Sequence, residues 1–355
     1  MHSLRPEYLG KLTFGSEQVA TLHALGEYRG KQALYLRQAP EILKGLRGIA
    51  VIQSTESSNR LEGVTVSPGR LKPLILNRTE PRNRQEQEIA GYRDAHALIH
   101  ESARNMTFTG NVTLQIHSLL CRYLPDPGGR WKNADNEIIE KLPDGTRRIR
   151  FKPTPAHLTP IQIEQLALLY HNAVHDRMQE PLVLVPLVIM DFLCIHPFLD
   201  GNGRVARLLS LMLLYHFNYE VGRYISLERI IEESKETYYE TLEASSRNWH
   251  EGAHDVMPWL NYFWGVLLRA YREFEQRVGE VRYGRGAKSA QVRLAVLARN
   301  QPFAISDIEV DCAGVSRDMV RHVFRQMKTE GLIAPQGRGR SAKWTLLKQM
   351  TGESP

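Results

Sequence analysis

The sequence predicts a mainly α-helical protein with one β-hairpin and a small α+β module at its C-terminal end. Three observations carry that expectation. Pro181–Ile195 and Val205–Phe217 are apolar almost throughout and of helical length, so they read as two buried helices joined by a short polar loop. Shorter helical patterns recur upstream, over Ser16–Leu25, Pro40–Val51 and Gln85–Ile99. Strand-like runs are confined to two places, flanking Lys141-Leu-Pro-Asp-Gly-Thr146 and flanking Gly337-Arg-Gly-Arg340.

In chain order, residues 1–95 form an N-terminal helical region. Its second pattern leads into Gln53–Val64, where Ser58 and Glu62 stand four apart on one face of a short helix that Gly63 would end. Glu56 and Arg60 share that spacing, so a surface helix with an ordinary ion pair is the plain alternative. Residues 96–281 form the core. In it, Asn136–Ile139 and Arg147–Phe151 read as a β-hairpin, followed by the Pro-rich strip Lys152–Pro160. The apolar helices and their loop come next, then Ser234–Ser246 with its paired tyrosines, then a long helix that includes Trp259–Phe274. The Gly/Arg segment from Arg282 to Lys288 reads as a linker and sets off residues 282–355.

That last region is basic. From Arg285 to Pro355, twelve Lys and Arg face six Asp and Glu, so it holds nearly all of the net charge of +7. Helices are expected over Ser289–Arg299 and Ile305–Asp311, then a turn at Ala313–Val315, then a helix opened by Ser316 and ended by Gly331. Met319, Val323, Phe324 and Met327 would be its buried stripe, leaving Arg317, Arg321, Arg325 and Lys328 on the other side. Leu332-Ile333 and Lys343–Leu347 read as strands around the basic tip. The order resembles a winged helix-turn-helix module, with Arg317–Lys328 as recognition helix and Arg338 and Arg340 on the wing. That resemblance implies DNA as a partner, or else dimerisation or target docking through the same module.

The chemistry concentrates in His196–Arg207, His-Pro-Phe-Leu-Asp-Gly-Asn-Gly-Arg-Val-Ala-Arg. Pro197 disfavours helical geometry in the residue before it, so His196 is expected to be the last residue of the first helix, its ring in the turn. Gly201 and Gly203 permit close approach of a phosphate. Asn202 suits the N-cap of the next helix, whose free N–H groups would face an anion. Arg204 and Arg207, three apart, share a helix face and can each fork onto an oxyanion. Each residue alone has a plain structural reading. Together, between apolar helices where unused polar groups are costly, they read as a nucleotide site.

His196–Arg207 matches the HPFxDGNGRxxR signature and so resembles the Fic (filamentation induced by cAMP) family of protein adenylyltransferases. The resemblance implies transfer of AMP from ATP to a Tyr, Ser or Thr hydroxyl, with His196 as general base and Asp200 holding Mg²⁺. Gly201, Asn202, Gly203, Arg204, Val205, Ala206 and Arg207 would bind ATP, with Arg204 on the β-phosphate and Arg207 on the γ-phosphate. Relatives that phosphorylate have Lys in place of the second Gly and lack the final Arg, so Gly203 and Arg207 favour nucleotidyl transfer. Ser58 and Glu62 resemble the family's [S/T]xxxE[G/N] inhibitory motif, whose carboxylate forks onto the second Arg, here Arg207, and occupies the γ-phosphate position. The same Glu62 could instead align a water for removal of AMP. The hairpin resembles the family's flap, which pairs with a target main chain, and Tyr239 is the choice for the adenine side, although Tyr238 would serve as well.

Composition bounds these readings. A 42% hydrophobic, 24% charged chain is ordinary for a globular protein. The longest apolar run, Leu182–Ile195, is interrupted by Pro186 and Asp191 and is too short to span a bilayer, so a cytoplasmic protein without membrane attachment is expected. Cys121, Cys194 and Cys312 lack metal-type spacing. The expected partners are a protein target, the protein itself as a target, a second copy in a homodimer, and DNA. The rival reading is a DNA-binding regulator whose Fic domain senses nucleotide.

Overall fold

The computed structural model describes residues 3–38, 40–141, 145–279, 287–297, 299, 301–312, 315–336 and 343–347. The fold is mainly helical, as the sequence predicts. Its elements are α1 (Pro6–Leu9), α2 (Ser16–Gln38), α3 (Pro40–Leu61), α4 (Pro68–Ile75), α5 (Arg84–Ser102), α6 (Gly110–Leu120), β1 (Ile138–Lys141), β2 (Arg147–Phe151), α7 (Thr159–His175), α8 (Pro181–Ile195), α9 (Asn202–His216), α10 (Leu227–Glu233), α11 (Lys235–Ser246), α12 (Met257–Gly279), α13 (Ala287–Leu297), α14 (Ile305–Asp311), α15 (Arg317–Thr329), β3 (Ile333–Gln336) and β4 (Lys343–Leu346). The chain forms two compact units, Met1–Ala33 with Ala50–Tyr271, and Leu34–Ile49 with Arg272–Pro355. The expected linker at Arg282–Lys288 falls largely on residues outside those described, as do the turn at Ala313 and the wing residues Arg338 and Arg340.

Helix α2 outruns its predicted span of Ser16–Leu25, continuing to Gln38 through Gly26 and Gly30 without amphipathic periodicity, which is why pattern reading ended it early. Helix α3 absorbs the expected short helix and ends at Leu61, with Glu62 and Gly63 (φ 78°) forming the turn beyond it.

In the first unit, α8 and α9 lie at the centre. Nearly every residue of α8 is buried. Pro186 has no N–H to give Leu182 O, and the indole N–H of Trp264 donates to that carbonyl at 2.7 Å instead. The Trp259 indole donates in the same way to Pro186 O at 2.8 Å. Buried Asp191 on α8 accepts from Trp249 Nε1 (2.6 Å) and from Ser3 Oγ, and burial raises its carboxyl to about 6. These bonds fix the helix that ends at the polar loop.

In the second unit, α13, α14 and α15 pack around Val292, Val296, Phe303, Ile308, Phe324 and Met327. Ser316 caps α15 by accepting from Met319 N at 3.3 Å. Val323, Phe324 and Met327 are buried as expected, while Val320 takes the fully buried place expected of Met319, which is only partly buried. Strands β3 and β4 pair antiparallel, Ile333 opposite Leu346. No helix among the described residues is long and apolar enough to cross a membrane.

Candidate active site

The loop between α8 and α9 departs from expectation at two residues. His196 is not the last residue of α8: the helix stops at Ile195, and His196 caps it in the left-handed region (φ 53°, ψ 62°). Pro197 disfavours the α region for its predecessor, and the chain meets that restriction by reversing handedness. Asn202 is not the N-cap of α9 either. Gly201 takes that position at φ 82°, where a side chain would be strained, and Asn202 opens the helix. The Asn202 amide is spent closing the loop on itself, accepting from Phe198 N (2.9 Å) and donating to Phe198 O (2.7 Å). The first N–H groups of α9 therefore have no side-chain cap and face outward from the helix start.

Other elements pull the loop carbonyls back. His117 on α6 stacks on buried Phe198 at 3.7 Å between ring centroids. Its Nδ1 accepts from Gly129 N (3.0 Å), which leaves the proton on Nε2 to donate to Asp200 O (3.2 Å). Asn136 Nδ2 donates to Phe198 O at 3.1 Å. With carbonyls turned away, the loop presents N–H dipoles rather than oxygen to an anion. Replacing His117 by Ala removes the donor and the stacked ring. We expect activity to fall roughly tenfold through misplacement of the Asp200 corner and the Mg²⁺ concentration for half-maximal rate to rise; an unchanged Mg²⁺ dependence would reduce His117 to core packing.

His196 Nδ1 lies 3.2 Å from Leu193 O, so Nδ1 carries the proton and Nε2 keeps its lone pair. Burial lowers the imidazole from 6.5 to about 4; Lys132 adds to that, and the Leu193 carbonyl, Glu62 and Asp200 oppose it. The neutral ring lines a cavity of about 570 Å³ together with Glu62, Gly203, Arg207, Tyr238 and Tyr239. That size suits a nucleotide-sized ligand.

Arg207 is buried, 4% of its side chain being exposed, and two of its three guanidinium nitrogens are held by Ser58 and Glu62. Nε donates to Ser58 Oγ (2.8 Å), and Nη2 to Ser58 O (2.9 Å) and Glu62 Oε1 (2.7 Å). The expected two-pronged fork onto Glu62 is thus a single contact, with Ser58 taking Nε and sharing Nη2 with the carboxylate. A Cβ on Gly203 would lie 2.3 Å from Glu62 Oε1, so the carboxylate rests directly on the start of α9. Arg204 does not share the Arg207 ion pair. It pairs with Glu88 of α5 at 2.7 Å, both side chains buried, and lies 3.5 Å from Asp200 Oδ2. Val205 and Ala206 are buried on the core side, and the Val205 N–H is taken by Gly201 O.

The hairpin walls the same cavity through Ile138, Ile139, Glu140, Arg150 and Phe151. Ile139 faces Ile149 and Glu140 faces Arg148 across the strands. Arg148 and Arg150 both reach Glu243 of α11 at 2.9 Å, and Arg150 donates to Tyr239 O at 3.0 Å with its guanidinium 5.6 Å from the Tyr239 ring centre. Tyr238 is buried against Trp259, whereas Tyr239 is half-buried.

Asp200 is the carboxylate open to a cation, with 70% of its side chain exposed and Oδ1 accepting from Gly201 N at 2.7 Å. No group of three His, Cys, Asp or Glu able to hold a metal occurs among the described residues. One hard oxygen donor fits a Mg²⁺ that completes its shell with phosphate oxygens and water rather than a protein cage.

Four participants escaped sequence reasoning: Glu88, His117, Lys132 and Glu243. All lie far along the chain from the loop, and nothing in their local pattern separates them from helix or surface residues. Residues 107–214 match the family model described as Fic/DOC family. Among solved structures, the chain is similar to a Fic family protein from Desulfovibrio desulfuricans G20 (20% identity, covering 97% of this chain and 99% of that one, TM-score 0.61). It is similar to a Fic domain containing signaling protein from Bacteroides thetaiotaomicron VPI-5482 (21% identity, 70% and 95% covered, TM-score 0.59). Residues 134–508 of Fic-1 from C. elegans are a third (16% identity, 73% and 72% covered, TM-score 0.52). At these identities the likeness is one of fold.

Proposed function

We propose, on the premise that residues 107–214 form a Fic/DOC-family domain, that the protein transfers AMP from ATP to a Tyr, Ser or Thr hydroxyl of a protein target and is held back by Glu62. The observation that carries this reading is that one cavity holds the free Nε2 of His196, the outward-facing start of α9 and buried Arg207, with a carboxylate already resting where a phosphate would go. The triphosphate lies along the helix start, Arg204 on the β-phosphate and Arg207 on the γ-phosphate. The target oxygen bonds to the α-phosphorus as the bond from that phosphorus to the bridging oxygen breaks. The electron pair leaves with pyrophosphate, and the hydroxyl proton passes to His196 Nε2. Mg²⁺ bound at Asp200 supplies neutralisation of the phosphate charge. Tyr239 borders the adenine side, and the hairpin offers its strand edge to the target.

Incubation with ATP labelled at the α-phosphate tests the reading: protein-bound label supports it, and label from the γ-position alone would make the enzyme a kinase.

A second reading concerns the C-terminal unit. On α15, Arg317, Arg321, His322, Arg325 and Lys328 are exposed opposite the buried residues, and Arg325 and Lys328 have no carboxylate partner among the described residues. A helix with this face suits the phosphates and major groove of duplex DNA, which supports a nucleotide-sensing DNA-binding regulator. We expect Arg321→Ala with Arg325→Ala to weaken a duplex-DNA gel shift about tenfold or more and to flatten its salt dependence. Equal binding by the variant would remove this reading.

A further inference from the structure

We infer that Lys132 is a positioning residue for His196, gripping the polypeptide on both sides of the imidazole and placing a buried cation next to it. The inference rests on the reading of His196 as the general base. Lys132 belongs to no motif and precedes the hairpin. Its backbone N–H donates to Pro197 O at 2.8 Å, the carbonyl after His196. Its Nζ donates to Ile195 O at 3.2 Å, the carbonyl before His196, and to Asn136 Oδ1 at 2.8 Å. One residue thus brackets the left-handed peptide from both ends.

That peptide needs bracketing. A non-glycine residue at φ 53° costs about 1 kcal/mol or more and persists only where its surroundings over-determine it. If Ile195 O or Pro197 O swung free, His196 could relax and carry its ring away from the cavity. Asn136, which holds the ammonium, also donates to Phe198 O, so the clamp continues into the phosphate-facing turn.

The charge itself also needs a reason. Lys132 is 4% exposed and no carboxylate contacts it among the described residues; the amide oxygen of Asn136 and a carbonyl are its acceptors. Burying an ammonium without an ion-pair partner is costly, and a neutral side chain would fill the space more cheaply. Desolvation lowers Lys132 to about 8, with Asp135 opposing. The charged groups that act on His196 are Lys132 on one side and Glu62 and Asp200 on the other. Burial is the main cause of the neutral resting imidazole, and the ammonium adds to it by offsetting the pull of those two carboxylates.

The experiment compares Lys132→Met, Lys132→Gln and Lys132→Arg in a Glu62→Gly protein, measuring kcat and KM for ATP, the melting temperature, and the NMR titration of the His196 ring. Lys132→Met should lower kcat about 30-fold or more, the size of a small misplacement at a reacting centre, while KM for ATP stays within about threefold. Lys132→Arg, which keeps a cation and a donor, should recover most of kcat, and Lys132→Gln, which keeps only a donor, should recover part. The His196 titration should move upward in both neutral variants and not in Lys132→Arg. Unchanged kcat, or a loss that follows melting temperature with no movement of the ring titration, overturns the inference. If the Glu62→Gly parent transfers no AMP, the proposed function fails, and the ring titration alone decides whether Lys132 acts on His196. Should Lys132→Met fail to fold, Lys132→Gln against Lys132→Arg tests the cation alone, since both keep a side-chain donor and the backbone bond to Pro197.

Discussion

Glu62→Gly should raise AMP transfer by roughly one to two orders of magnitude. The carboxylate contributes one charge-assisted hydrogen bond to Arg207, worth about 1.5–3 kcal/mol. It also fills the space above Gly203 at the start of α9. On the proposed function a bound γ-phosphate would have to displace it, and removing the carboxylate would shift the population toward the open site by about the energy of the lost bond. Ser58 continues to orient Arg207 through its hydroxyl and carbonyl, so the guanidinium stays in place for phosphate. Glu62 has 29% of its side chain exposed and follows the end of α3, so folding should be nearly unaffected. Transfer from α-labelled ATP and melting temperature, measured side by side, check this. Equal transfer by the parent and the variant would remove Glu62 from regulation.

His196→Ala in that activated background should lower transfer by about 10² to 10⁴-fold, the range for loss of a general base, with ATP binding little changed, because the phosphate-facing groups belong to α9 and Arg207. The pH dependence has a definite sign. In the proposed mechanism the working form is the neutral ring, and burial places its protonation at about 4. Transfer should therefore be flat through neutrality and fall as pH drops through about 4. Stability should decline over a wider window. His196 and His117 both sit at about 4 when folded against 6.5 ordinarily, so the unfolded chain takes up protons first and folding weakens as pH falls from about 6.5 toward 4. A rate that falls near pH 6.5 while the fold is intact would contradict the buried-base geometry.

Much of this was legible in the residues. The loop could be recognised because its chemistry is local: base, carboxylate, glycines and guanidiniums occur within twelve positions, and apolar runs on both sides predict the helices that hold them. Ser58 and Glu62 were legible for the same reason, a four-residue spacing on a helix. Local rules failed where a residue had two ways to satisfy them. Pro197 disfavours the α region for His196, which the chain meets with a left-handed cap rather than a helical last residue, and Asn202 could cap a helix or close a loop. Only packing chooses between such options.

The sequence by itself determined the helical class, the hairpin and the basic character of the C-terminal residues, and it marked the loop on which the proposed chemistry rests, because side-chain period and motif spacing act over a few positions. Tertiary structure alone decided that Arg204 answers to Glu88, that Glu62 meets Arg207 through one contact, and that His117, Asn136 and Lys132 shape the loop from elsewhere in the chain. Those bonds join residues dozens of positions apart. They form only because buried donors and acceptors must find partners once helices α5, α6, α8 and α9 have packed.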